Sequence, residues 1–137
     1  MKNGNISSHS APTILVRMED TLFKSSETKL LGFNVKTTHE LQENTLSLLI
    51  RLSMHTDYRV ELVCSPQNYN KLRKLMEQLS DNFQIPFARI CYHSEQTITN
   101  FLNNGIYYCY IDNNLDRIGR VNHKSCYTVA EFTNLAL

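Results

Sequence analysis

Apolar residues fall along this chain in two rhythms. Five short runs are almost continuously apolar or aromatic: Thr13 to Met18, Tyr58 to Cys64, Ala88 to Tyr92, Ile106 to Ile111 and Ser125 to Val129. Their length and β-branched content predict strands covered on both faces. The stretches between them follow the helical period. Leu72, Leu75, Met76 and Leu79 recur at i, i+3, i+4 and i+7, the stripe of one buried helical face. Thr37-Thr38-His39-Glu40 has capping-box spacing and predicts a helix start, with Leu41, Leu48, Leu49, Leu52 and Thr45 on its inner stripe. Ser94 is placed to cap a helix that turns Ile98, Phe101 and Leu102 inward and stops at Asn104-Gly105. Thr128 to Glu131 is a second capping box, opening a short terminal helix with Phe132 and Leu135.

The order β, loop, α, β, α, β, α, β, short α, β, α predicts an α/β fold. Right-handed crossovers make it a doubly wound, open parallel five-stranded sheet with helices on both faces. Residues 1–11 are rich in Ser and Asn without periodicity and predict a flexible leader, leaving residues 12–137 as one domain. In such sheets ligands sit beyond the carboxyl ends of the strands. Those ends carry Arg17, Glu19, Ser65, His93 and Asp112.

Charge changes the picture mainly by exclusion. Fourteen basic and thirteen acidic residues leave a formal charge of +1, so no overall field draws the protein to nucleic acid or an anionic membrane. No apolar run approaches a membrane span and the amino terminus lacks a signal-peptide core, which predicts a cytoplasmic protein. Cys64, Cys91, Cys109 and Cys126 lie in or beside apolar runs without C-x-x-C spacing, the pattern of buried thiols rather than of zinc or redox sites. The asparagine-rich composition points weakly to an AT-rich genome, phage or bacterial.

Three strand ends carry residues with chemical potential. The first runs Ile14-Leu15-Val16-Arg17-Met18-Glu19-Asp20-Thr21-Leu22-Phe23, an apolar strand entering a polar turn. The second, Val60 to Cys64, ends at Ser65-Pro66, where a hydroxyl and the free N–H groups of a helix start can receive an anion or simply cap the helix. The third reads Tyr110-Ile111-Asp112-Asn113-Asn114-Leu115-Asp116, with Asp112 and Asp116 spaced to offer oxygen ligands to a hard cation, although Asp-Asn-Asn is equally a helix-capping turn. His93 and His123 have no neighbouring nucleophile in this frame. Lys71-Leu72-Arg73-Lys74 reads as the solvated face of an amphipathic helix.

The three strand ends together resemble the motifs of the haloacid dehalogenase (HAD) superfamily. Asp20-Thr21-Leu22-Phe23 matches the tail of its first motif. The resemblance implies a phosphate-handling site in which the nucleophilic aspartate falls on Arg17, the general acid/base on Glu19, the phosphate-binding hydroxyl on Ser65, and Mg²⁺ ligands on Glu19, Asp112 and Asp116. A guanidinium cannot attack phosphorus. The lysine expected before the fourth strand is also missing from His93 to Asn100. The expectation is therefore a catalytically inactive, pseudophosphatase-like domain that binds a protein partner or a phosphorylated ligand. Arg17, Ser65 and Asn113 are its candidate ligand contacts, Arg17 either pairing internally or clamping an anion. No cofactor is expected. The alternatives are an active Mg²⁺-dependent phosphatase or nucleotidase with an altered site, and a response-regulator-like interaction module. Residues 22–37, where the family carries its flap and cap, are short and predict a minimal cap. Lys24, Lys29, Lys36, Leu30, Leu31 and Phe33 there suggest a contact with a protein partner or a second copy, or else a cover for the core.

Overall fold

The computed structural model describes residues 12–54, 57–80 and 85–136; the expected leader lies outside them. Strands β1 (Thr13–Arg17), β4 (Arg59–Cys64), β5 (Arg89–Tyr92), β6 (Cys109–Ile111) and β7 (Cys126–Tyr127) form one sheet in the order β5-β4-β1-β6-β7. Every pairing in it is parallel. Helices α1 (Glu43–Ser53), α2 (Tyr69–Ser80), α3 (Glu95–Asn103), α4 (Leu115–Val121) and α5 (Val129–Ala136) flank it, giving a Rossmann-like α/β architecture.

Period-two alternation along β1 divides the core. Ile14 and Val16 enter a cluster with Leu48, Leu49 and Leu52 of α1, Leu72 and Met76 of α2, and Phe132 of α5. Leu15 faces the other way, joining Val63, Tyr110, Ile98 and Leu102 of α3, and Val121 of α4. Both faces of β1 are thus covered, which accounts for its unbroken apolar run. The central position of β1 also marks where the strand order reverses, so the ends of β1, β4 and β6 stand side by side.

The expected helix boundaries hold where local capping decides them. Ser94 accepts a hydrogen bond from the Thr97 amide through its side chain. Thr128 and Glu131 exchange the reciprocal capping-box bonds, at 2.8 and 3.2 Å.

The first capping box does not hold. Thr37 to Glu40 belong to β3 (Phe33–Leu41), which pairs antiparallel with β2 (Phe23–Leu30), and α1 begins only at Glu43. Val35, Thr37 and Thr38 are β-branched, and cross-strand bonds such as Ser26 Oγ with Thr38 Oγ1 at 2.8 Å tie this stretch to β2. The loop expected after β1 is therefore a two-stranded sheet of its own. Its turn, Leu31-Gly32, has positive φ at both positions, +54° and +83°, as a two-residue type I′ connection requires. Leu31 is 89% exposed and Phe33 75%, so these two side chains stand in solvent rather than covering the core.

Candidate functional site

The chain leaves β1 through a tight reversal. The amides of Leu22 and Phe23 both return to the Met18 carbonyl, at 3.1 and 2.9 Å, and Asp20 takes a left-handed φ of +63° that short polar side chains tolerate. This turn points Glu19 toward β4 and Thr21 toward β6.

Glu19 lies over the start of the segment after β4. Its Oε2 accepts from the Ser65 amide at 3.0 Å, the Ser65 hydroxyl at 2.6 Å and Asn68 Nδ2 at 2.7 Å. Pro66–Asn68 form a single 3-10 turn leading into α2, with Pro66 at the first position, where no donor is lost. Burial raises the carboxyl's pKa. The Ser65 hydroxyl, the charge of Arg17, Asn68 and the Ser65 amide outweigh it, and the net displacement is downward. The carboxylate therefore sits where a helix start would receive an anion.

Arg17 is 3% exposed, and its Nε lies 2.8 Å from Glu19 Oε1. That contact is coulombic: neither Nε nor Nη1 of Arg17 finds an aligned hydrogen-bond acceptor among the described residues. A buried guanidinium with spare donors beside a carboxylate already served by Ser65 and Asn68 is an incompletely satisfied pair.

Asp112, at the end of β6, is fully buried and saturated. It accepts from Tyr110 OH at 2.6 Å, Thr21 Oγ1 at 3.1 Å and the Asn114 amide at 2.9 Å. Arg117 closes on it as a fork, Nε to Oδ2 at 2.6 Å and Nη2 to Oδ1 at 3.1 Å. The same Nη2 donates to the Glu19 carbonyl at 3.0 Å and to Asp20 Oδ2 at 3.1 Å. Burial disfavours the Arg117 charge, but the Asp112 bond and charge prevail and raise its pKa above the usual value.

The expected residues thus separate into two groups. Arg17, Glu19 and Ser65 come together on the β4 side, while Asp112 joins Arg117 on the β6 side. Asp116 is on the exposed first turn of α4. Asn113 donates its amide to Thr21 Oγ1 and accepts from the Val129 amide, each at 2.9 Å, so it ties β6 to α5. The described residues hold no group of three or more His, Cys, Asp or Glu suited to a metal. The donor set does not fit Mg²⁺: five hydrogen bonds from Tyr110, Thr21, Asn114 and Arg117 occupy both Asp112 oxygens, and a guanidinium already joins that carboxylate to the Glu19 carbonyl.

Arg117, Thr21 and Asn68 were not anticipated. Arg117 carried a faint signal, since it shares the inward stripe of α4 with Val121, four residues on, and both are buried. Elsewhere the polar residues are structurally engaged. Glu61 is held by Arg59 at 3.2 Å, Arg89 at 3.1 Å and Tyr107 OH at 3.2 Å. His93 Nε2 lies 3.3 Å from Tyr107 OH, and His123 Nδ1 accepts from the Ser125 amide. Burial pushes the Cys64 and Cys109 thiols up to about 12, so both are poor nucleophiles.

The fold and the strand-end cluster define the class, a Rossmann-like α/β domain whose polar groups gather at the switch point of its sheet. Compared with known proteins, the chain matches no protein-family model, no curated protein and no solved structure. No helix among the described residues is long and apolar enough to cross a membrane.

Proposed function

We propose that this chain is a HAD-like domain that does not turn over substrate and acts by binding a protein partner or a phosphorylated ligand. The observation that carries the reading is that the strand-end cluster is neutralised from within. Glu19 occupies the donors of Ser65 and Asn68, the place the resemblance gives to phosphate. Arg117 occupies the oxygens of Asp112 and the Glu19 carbonyl, the place it gives to the metal. A substrate would have to displace a partly buried carboxylate, and a cation a bidentate guanidinium. Neither displacement leaves a nucleophile behind, because position 17 is arginine. The hairpin β2–β3 also occupies the interval in which that superfamily carries its flap.

The test is hydrolysis of p-nitrophenyl phosphate and nucleoside monophosphates by the purified protein with Mg²⁺. The expected result is no metal-dependent turnover. Turnover that disappears in Asp112→Asn would overturn the reading and make the protein a phosphatase with an altered site.

A further inference from the structure

Among the described residues, the hairpin is the least partnered element. β2 and β3 form a separate two-stranded sheet, eight and nine residues long, each bonded to the other. A lone hairpin is marginally stable in water, and an unpaired strand edge is a template for another strand. Natural edges are usually short or interrupted; this one is neither along residues 36–40.

We infer that the β3 edge pairs antiparallel with the β3 edge of a second copy of this chain, about a two-fold axis at Thr38. Two antiparallel copies of one strand are related by an axis perpendicular to the sheet, which keeps each residue on its own face. Only residues an even number apart can therefore oppose one another. Centred on Thr38, the pairing sets position 36, a lysine, against position 40, a glutamate, and does so twice. Within one copy Lys24 is already the cross-strand neighbour of Glu40, so the charges continue in alternating sign across the four-stranded sheet. The hairpin's register irregularity, where position 35 of β3 is skipped between the pairs Thr28–Lys36 and Lys29–Asn34, lies outside residues 36–40.

The same register gives the exposed tip a destination. Position 32 lies six residues from the axis, about 20 Å along a strand. At that distance the tip of one copy reaches the base of the other hairpin. Beside that base lies a cavity of about 380 Å³ whose lining is polar apart from Leu41 and includes Glu43, Asn44 and Thr45. Leu31 sits at a positive φ normally filled by Asn, Asp or Gly, so an apolar residue is kept where the backbone disfavours it. This dimer does not depend on whether the strand-end cluster turns over substrate.

Sedimentation equilibrium of the full chain tests it together with charge reversals. The wild type is expected to dimerise, Lys36→Glu and Glu40→Lys each to weaken the dimer tenfold or more, and the double reversal to restore it. Thr38→Cys, on the axis, should form a disulfide-linked dimer under mild oxidation, while far-UV circular dichroism checks that each variant stays folded. A wild type that remains monomeric at hundreds of micromolar would overturn the proposal. So would a dimer that survives both single reversals, because its contact would then lie on another face.

Discussion

The strand-end cluster and the β2–β3 hairpin meet at the turn after β1 and treat their polar groups in opposite ways. In the cluster, Asp112 and Arg117 are inside the molecule and spend nearly all their hydrogen-bonding capacity on each other and on the turn after β1. In the hairpin, side-chain pairs such as Ser25 with His39 and Ser26 with Thr38 lie in solvent, and the two outer edges have no strand beside them among the described residues. The Asp112–Arg117 half of the cluster has its partners already, Arg17 keeps spare donors beside Glu19, and the hairpin's outer edges carry no strand among the described residues.

The largest expected effect breaks the cluster. Arg117→Ala leaves the buried Asp112 carboxylate without its counter-charge and should cost on the order of 3–5 kcal/mol, read from urea unfolding. Asp112→Ala combined with it should be far from additive, since each single change strands the other's charge. Additive losses would mean that the fork does not form in solution and that the contrast between the regions fails.

A smaller effect concerns Glu19. Its folded pKa lies below the ordinary value of 4.5, so its contribution is fully present above about pH 4.5 and fades as pH falls through the folded pKa. Glu19→Gln should lower neutral-pH stability by roughly 1–3 kcal/mol, because the buried Arg17 loses its counter-charge. It should also flatten the stability profile in that acidic window. An unchanged acid limb in the variant would show that the Ser65 and Asn68 donors do not favour the ionised form.

The smallest effect is in the hairpin. Leu31→Asn suits the positive φ of the turn and should gain up to about 1 kcal/mol locally. It would be seen as slower amide exchange in β2 and β3, with little change in global unfolding. If the substitution shifts global stability as much as Arg117→Ala, the hairpin is part of the core and not an independent surface.

These contrasts explain what could be read from the residues alone. The five sheet strands were legible because burial on both faces forces apolar runs, and the helices at Ser94 and Thr128 because their caps lie within four residues. Thr37 to Glu40 misled because a capping-box spacing and a β-branched strand are the same letters, and pairing with β2 decides between them. Arg17 was visible as an anomaly in the first motif. Its partner was not, since Glu19, Asp112 and Asp116 were equally available in sequence, and only the turn after β1 aims Glu19 back at the guanidinium. Arg117 went unnoticed for a related reason: an arginine in a short amphipathic helix looks solvated until the neighbouring strand end supplies a carboxylate.

The base of the hairpin carries a consequence for how this protein can change over evolutionary time. The Gln42 amide donates to the Leu22 carbonyl at 2.8 Å, and Thr45 Oγ1 reaches the Thr21 carbonyl at 2.6 Å. The chain therefore leaves the sheet and returns to it at a single clasp, and whatever lies between is a closed excursion. Because the entropy of closing a loop rises only slowly with its length, residues 24–40, between the core residues Phe23 and Leu41, can be shortened, extended or exchanged at small cost to the rest. Descendants of this chain can thus acquire new binding surfaces by replacing one hairpin, while the sheet and the Asp112–Arg117 fork are inherited intact.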